Sequence, residues 1–86
     1  MKRKMKKVDT GTVLVITEFF MTKNFWEYFV TDINGTDTET PCCLAMGFET
    51  ELGDVSIEEV KPYIIPTTRV QELDGIMPPP GYKWED

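Results

Sequence analysis

The sequence predicts an α+β fold that is mostly β: a small antiparallel meander of three to five strands with one short helix and an extended, proline-rich C-terminal tail. Three observations predict it. Runs of β-branched and aromatic residues are separated by short polar breaks of hairpin size. No helical segment is long enough to serve a parallel crossover, so neighbouring strands must join antiparallel. The chain has 86 residues, which suffices for one core and no more. Residues 13–75 are therefore expected to form a single domain. Residues 1–12 are expected as a basic, flexible N-terminal tail, and residues 76–86 as the extended C-terminal one.

The elements follow in order. Val13–Phe20 is rich in β-branched and aromatic residues and reads as the first strand. Met21–Asn24 is the break, and Phe25–Ile33 is the second strand. Its alternation puts Trp26, Tyr28 and Val30 on one face, the expected core face. Phe25, Glu27, Phe29 and Thr31 then fall on the other, with the two rings partly exposed or covered by another element. Asn34-Gly35 opens a turn that runs on to Pro41. Cys42–Phe48 is the third strand, and Glu49–Asp54 an acidic turn. Asp54–Ile57 suggests a short fourth strand. Ser56 with Glu59 matches a capping box before a one-turn helix that Pro62 stops. Tyr63–Pro66 should lie extended on the sheet. Thr67–Leu73 suggests a fifth, edge strand. Met77–Gly81 cannot continue a ladder, because proline donates no hydrogen bond. Tyr82 or Trp84 could dock back on the sheet.

The residues exclude most chemistry. The chain has no histidine, which removes the commonest general base and zinc ligand. Its one serine, Ser56, is better used as a cap than as a nucleophile. Cys42 and Cys43 are adjacent, too strained to bridge, and no basic neighbour in sequence lowers a thiol pKa. No glycine loop suits a phosphate. No cofactor, metal or catalytic residue is expected. Asn34-Gly35-Thr36 fits the glycosylation pattern but follows no secretory signal. No apolar run approaches a membrane span, so a cytoplasmic protein without membrane contact is expected.

Charge is the informative feature. The formal net charge of −6 is unevenly placed. Lys2, Arg3, Lys4, Lys6 and Lys7 give residues 1–7 a charge of +5, and the remaining four basic residues meet 15 acidic ones, a body of −11. Glu49, Glu51, Asp54, Glu58 and Glu59 form the densest carboxylate group and are the expected partner-binding residues. The group lacks the alternating oxygen-ligand loop of an EF-hand, and a chain this short rarely builds the deep cleft that a catalytic acid pair needs.

The order of motifs resembles a family. Trp26, Tyr28, Val30 and Thr31 share one strand. An apolar strand ending Gly47-Phe48-Glu49 follows, then Glu51-Leu52-Gly53, Ser56 before a short acidic helix, an Arg69 segment and a proline-rich end. Over residues 14–80 this resembles the uncharacterised domain-of-unknown-function family 2958, small proteins of plasmids, phages and other mobile elements. The chain departs from it at Cys42, Cys43 and Asp54, where members often carry aromatic residues. The resemblance implies an accessory role on a mobile element and transfers no activity.

Together these features lead to an expected function: a small acidic protein-interaction module that meets a basic surface. An inhibitor or nucleic-acid mimic acting on a host nucleic-acid-binding or defence protein would fit, since close carboxylates can imitate phosphates spaced about 1.7 Å along a DNA axis. An alternative uses the basic N-terminal arm and the aromatic strand to bind nucleic acid directly; the acidic body opposes it. A structural subunit is a further reading, and exposed rings such as Phe25 or Phe29 would suit a homodimer.

Overall fold

The computed structural model describes residues 2–35 and 39–85. Its strands are β1 (Arg3–Lys7), β2 (Val13–Met21), β3 (Glu27–Asn34), β4 (Pro41–Met46), β5 (Thr50–Asp54) and β6 (Tyr82–Trp84). They form one sheet in the order β5-β4-β3-β2-β1-β6, and every neighbouring pair is antiparallel. A four-residue helix, α1 (Ile57–Val60), follows β5, and two 3-10 turns, Lys61–Tyr63 and Pro66–Thr68, follow α1. The class and the meander are those the sequence predicts. The strand count is six, because the basic segment, the acidic turn and the end of the proline-rich segment each contribute one to the three main strands.

The central three strands owe their register to an extra residue in β2. Ile16 pairs with Thr31 but Glu18 pairs with Val30, so Thr17 is a bulge. The bulge shifts the alternation by one, so that Leu14, Ile16 and Phe19 all enter one cluster, together with Met5, Phe29, Leu44 and Leu73. Phe20 points the other way, into a second cluster with Val30, Cys43 and Ile64. Phe19, Phe29 and Leu44 line up across three strands, and the two rings meet edge to face with centroids 5.1 Å apart. Both faces of the sheet are thus covered, one by Val70, Leu73 and Ile76, the other by Ile57, Val60 and Ile64.

Both faces of β3 are core, where one was expected: Val30 of the expected face is buried in the second cluster. Phe29 is fully buried at the centre of the larger cluster. Tyr28 is half-buried in the second cluster, and Trp26 precedes the strand. Alternation cannot tell inside from outside in a strand buried on both faces.

The basic segment expected as a flexible tail is β1. It lies between β2 and β6, with Met5 at 0% exposure. Arg3 sits over the Trp84 ring at 4.3 Å from its centroid and donates to the Leu73 carbonyl at 3.4 Å. The lysines flanking Met5 alternate outward, so one buried methionine anchors a run otherwise made of cations. The C-terminal segment is fixed in the same way. Trp84 pairs with Met5, and its indole N–H donates to the Ile76 carbonyl at 2.8 Å. Pro79 is fully buried beneath it all.

Other expectations shift locally. Most of the predicted acidic turn is β5, the turn itself being Gly47–Glu49. Asp54–Ile57 is not a strand: it contains the end of β5 and the start of α1. Ser56 is the N-cap of α1, yet its side chain makes no capping bond. Thr67–Leu73 is not an edge strand. It holds part of a 3-10 turn, and Val70 forms a lone bridge to Phe19. Arg69 Nε donates to Glu18 Oε1 at 2.9 Å. The segment Tyr63–Pro66 does run along β2, where the Lys23 N–H donates to the Tyr63 carbonyl and the Ile65 N–H to the Met21 carbonyl, each at 2.8 Å. Residues 36–38 of the predicted loop, including Thr36 of the glycosylation pattern, lie outside the described residues. Among the described residues no helix is long and apolar enough to cross a membrane.

Candidate functional site

β3, β4 and the chain reversals beside them bring a set of aromatic residues to one end of the sheet. Glu27 pairs with Met46, so the β2–β3 turn and the β4–β5 turn sit side by side. The first is closed by Phe25 N–H donating to the Thr22 carbonyl at 2.8 Å and Thr22 N–H to the Trp26 carbonyl at 2.9 Å. The Thr22 hydroxyl also donates to Asn24 Oδ1. This turn holds Phe25 at φ +66°, a conformation that costs a bulky L-residue about 1–2 kcal/mol. The Phe25 ring is 76% exposed.

The second turn is built on Trp26. Gly47 lies flat on the indole: a Cβ there would come 2.4 Å from Trp26 Cε2, so no other residue fits without moving the ring. Phe48 then stands edge-on to Trp26, with centroids 5.9 Å apart and planes at 84°. Phe48 is 97% exposed. Between them lies a shallow hollow of about 270 Å³, lined by Trp26, Ala45, Phe48, Glu49 and Glu51. It is smaller than a typical small-molecule site and has room for one long side chain.

The five expected partner-binding residues do not form one cluster. All are exposed. Glu49 and Glu51 meet at the hollow. Asp54 points to the opposite face of β5, because it pairs with Cys42 while Glu51 pairs with Ala45. Its carboxyl group lies over Gly35, where a Cβ would come 2.5 Å from Asp54 Cγ. Glu58 and Glu59 sit on α1, which covers the face that Glu51 shares. Sequence reasoning took Trp26 for core and met Phe48 and Leu52 only as residues of the family motif, not as site residues. The signal was Gly47 directly before Phe48, a glycine that only a close neighbour explains.

The sequence stretch that builds this end of the sheet carries charge of one sign. Residues 24–60 carry nine carboxylates and no lysine or arginine. Burial raises the Glu27 carboxyl above its usual range. No protein-family model, curated protein or solved structure matches the chain. Its chemistry is therefore read from the geometry alone.

That geometry offers little to a reaction. No group of three or more histidine, cysteine or carboxylate residues that could hold a metal occurs among the described residues. Burial pushes the Cys43 thiol up to about 12, with smaller contributions from Cys42, Glu18 and Asp54. Cys42 is raised as well, by burial and then by Asp54. Neither is a thiolate at neutral pH. Larger hollows lie elsewhere: one beside Thr22, Tyr28 and Tyr63, one beside the Glu18–Arg69 ion pair, and two where Thr50 of β5 faces Lys7 and Tyr82, Leu52 lining one of them. None of them is lined by a cysteine or serine. The rings of β3 are not a stacking platform either, since Phe29 is buried and Tyr28 stacks on Phe20 at 4.9 Å.

Proposed function

We propose that the protein is a non-catalytic interaction module whose acidic side, led by Glu49 and Glu51, meets a basic surface of a partner protein. One observation carries the proposal. The long acidic stretch without a single cation carries an aromatic pair, the half-buried Trp26 and the exposed Phe48. Aromatic anchors supply most of the energy of an interface, and charges around them steer encounter and select the partner. A host nucleic-acid-binding or defence protein is the partner class that the mobile-element resemblance suggests. That context rests on the resemblance alone.

The test is affinity capture on the immobilised full chain at low and high salt, with the E49Q/E51Q double variant beside it. A basic protein retained at low salt, released at high salt and lost with the double variant supports the proposal. Retention that ignores both salt and the substitutions overturns it.

A further inference from the structure

The side of β5 that faces away from β4 is an open sheet edge, and its hydrogen-bonding groups can be assigned. Val55 N–H donates to the Pro41 carbonyl at 3.0 Å, and Gly47 N–H to the Glu49 carbonyl at 3.1 Å. With the register Cys43–Gly53 and Ala45–Glu51, residues 49, 51, 53 and 55 are the ones that bond to β4, since antiparallel residues alternate. Thr50, Leu52 and Asp54 therefore turn their N–H and C=O groups outward. Among the described residues nothing pairs with them.

Natural edges are usually blunted by charge, and Glu51 and Asp54 serve that end. The other residues do not. Leu52, at the middle of the edge, is 51% exposed, and Phe48 stands at its start. A merely protected edge would place polar residues there.

We propose that β5 accepts an added strand from a partner protein: an extended segment in which basic and apolar residues alternate. This rests on the proposed function above and specifies how its partner is held. The alternation follows from the register. Glu51 faces the new strand at a non-hydrogen-bonded position, where paired Cβ atoms come within about 5 Å. The residue opposite it projects onto the face that Glu51 shares with Ala45, which is the Trp26–Phe48 hollow. A lysine or arginine there lays its aliphatic stem over Ala45, meets Glu51 and Glu49, and brings its cation to the aromatic rings. A second basic residue two positions away reaches Glu49. The intervening side chains fall on the other face and meet Leu52. Charge complementarity selects this occupant over a second copy pairing β5 with β5, which would set the carboxylates of one acidic edge against those of another.

The experiment is an NMR titration of the full chain with a blocked peptide in which lysine and arginine alternate with valine. A control peptide is N-methylated at every second residue and cannot extend a sheet. Expected results are slowed amide exchange at Thr50, Leu52 and Asp54, shifted Trp26 indole signals, and about tenfold weaker binding of the methylated peptide. Leu52→Pro removes only an outward donor and should weaken binding without unfolding the sheet. Equal binding of both peptides overturns strand addition and leaves the charge reading intact. Absence of any binding at low salt overturns both. Slowed exchange at the three amides on raising the protein concentration, without peptide, assigns the edge to a second copy and overturns the proposal.

Discussion

Cys43 sits beneath Ile64 in the smaller cluster with its thiol fully buried. In the unfolded chain the thiol titrates near 9.0; in the folded protein burial moves it to about 12. A raised pKa means that the folded state holds the proton longer. The contribution is thus fully present below pH 9 and is lost as pH rises toward 12, with a limiting slope of about 1.4 kcal/mol per pH unit. Urea unfolding across this range should show the slope in the native chain and a reduced one in Cys43→Ala. Thiol labelling at neutral pH should reach Cys42 well before Cys43. A second prediction concerns Phe25. Its ring is mostly exposed, so its contacts contribute little, and the positive φ dominates. Phe25→Gly should be more stable than Phe25→Ala by about 1 kcal/mol in thermal unfolding. Such features are hidden in a sequence. Nothing local distinguishes a phenylalanine at φ +66° from one in a strand, and the turn that imposes it is closed by hydrogen bonds between residues of ordinary composition.

At the scale of elements, the strands with dense β-branched or aromatic runs were legible: β2, β3 and β4 lie close to their expected spans, and α1 starts at Ile57 and ends before Pro62. β1 and β6 were not, for opposite reasons. β1 has one apolar residue among five cations in its neighbourhood, so its pattern reads as a solvated charge run. β6 has the right residues, Tyr82 and Trp84, but only three positions and a proline-rich approach. What makes both into strands is each other, through the pairing of Met5 with Trp84. Met5→Ala should therefore cost about 3 kcal/mol in urea unfolding, whereas Lys4→Ala should cost almost nothing. Equal, small effects would restore the reading of this segment as a loose tail. The acidic residues of the candidate site were legible as a composition, but the division between Glu51 and Asp54 was not. It depends on which strand β5 pairs with and in what register, and no periodicity encodes that.

For the whole molecule, the sheet order separates charge. The acidic residues of β3, β5 and α1 lie toward one end of the order, and the lysines of β1 and β6 toward the other. Like charges crowded on one side repel in the folded state, and this repulsion is screened by salt over a Debye length of about 10 Å at 0.1 M. Added sodium chloride should therefore raise the thermal midpoint, most steeply at low ionic strength. A midpoint indifferent to salt would mean that the acidic side is already neutralised by protons or ions. The overall charge of −6 understates this distribution, because it sums an acidic end of the sheet order and a lysine-rich one, which meet where Lys7 and Thr50 line the same hollows.

The pairing of β1 with β6 has a mechanical consequence. Lys4 accepts from the Glu85 N–H at 2.8 Å, and the two antiparallel strands bring Lys2 and Glu85 to the same end of their shared ladder. A pull applied across these residues loads that ladder from its end, one bond after another, rather than all bonds at once. The sheet should open like a zip, at low force, with Trp84 leaving Arg3 and Met5 first and the two central clusters exposed only afterwards.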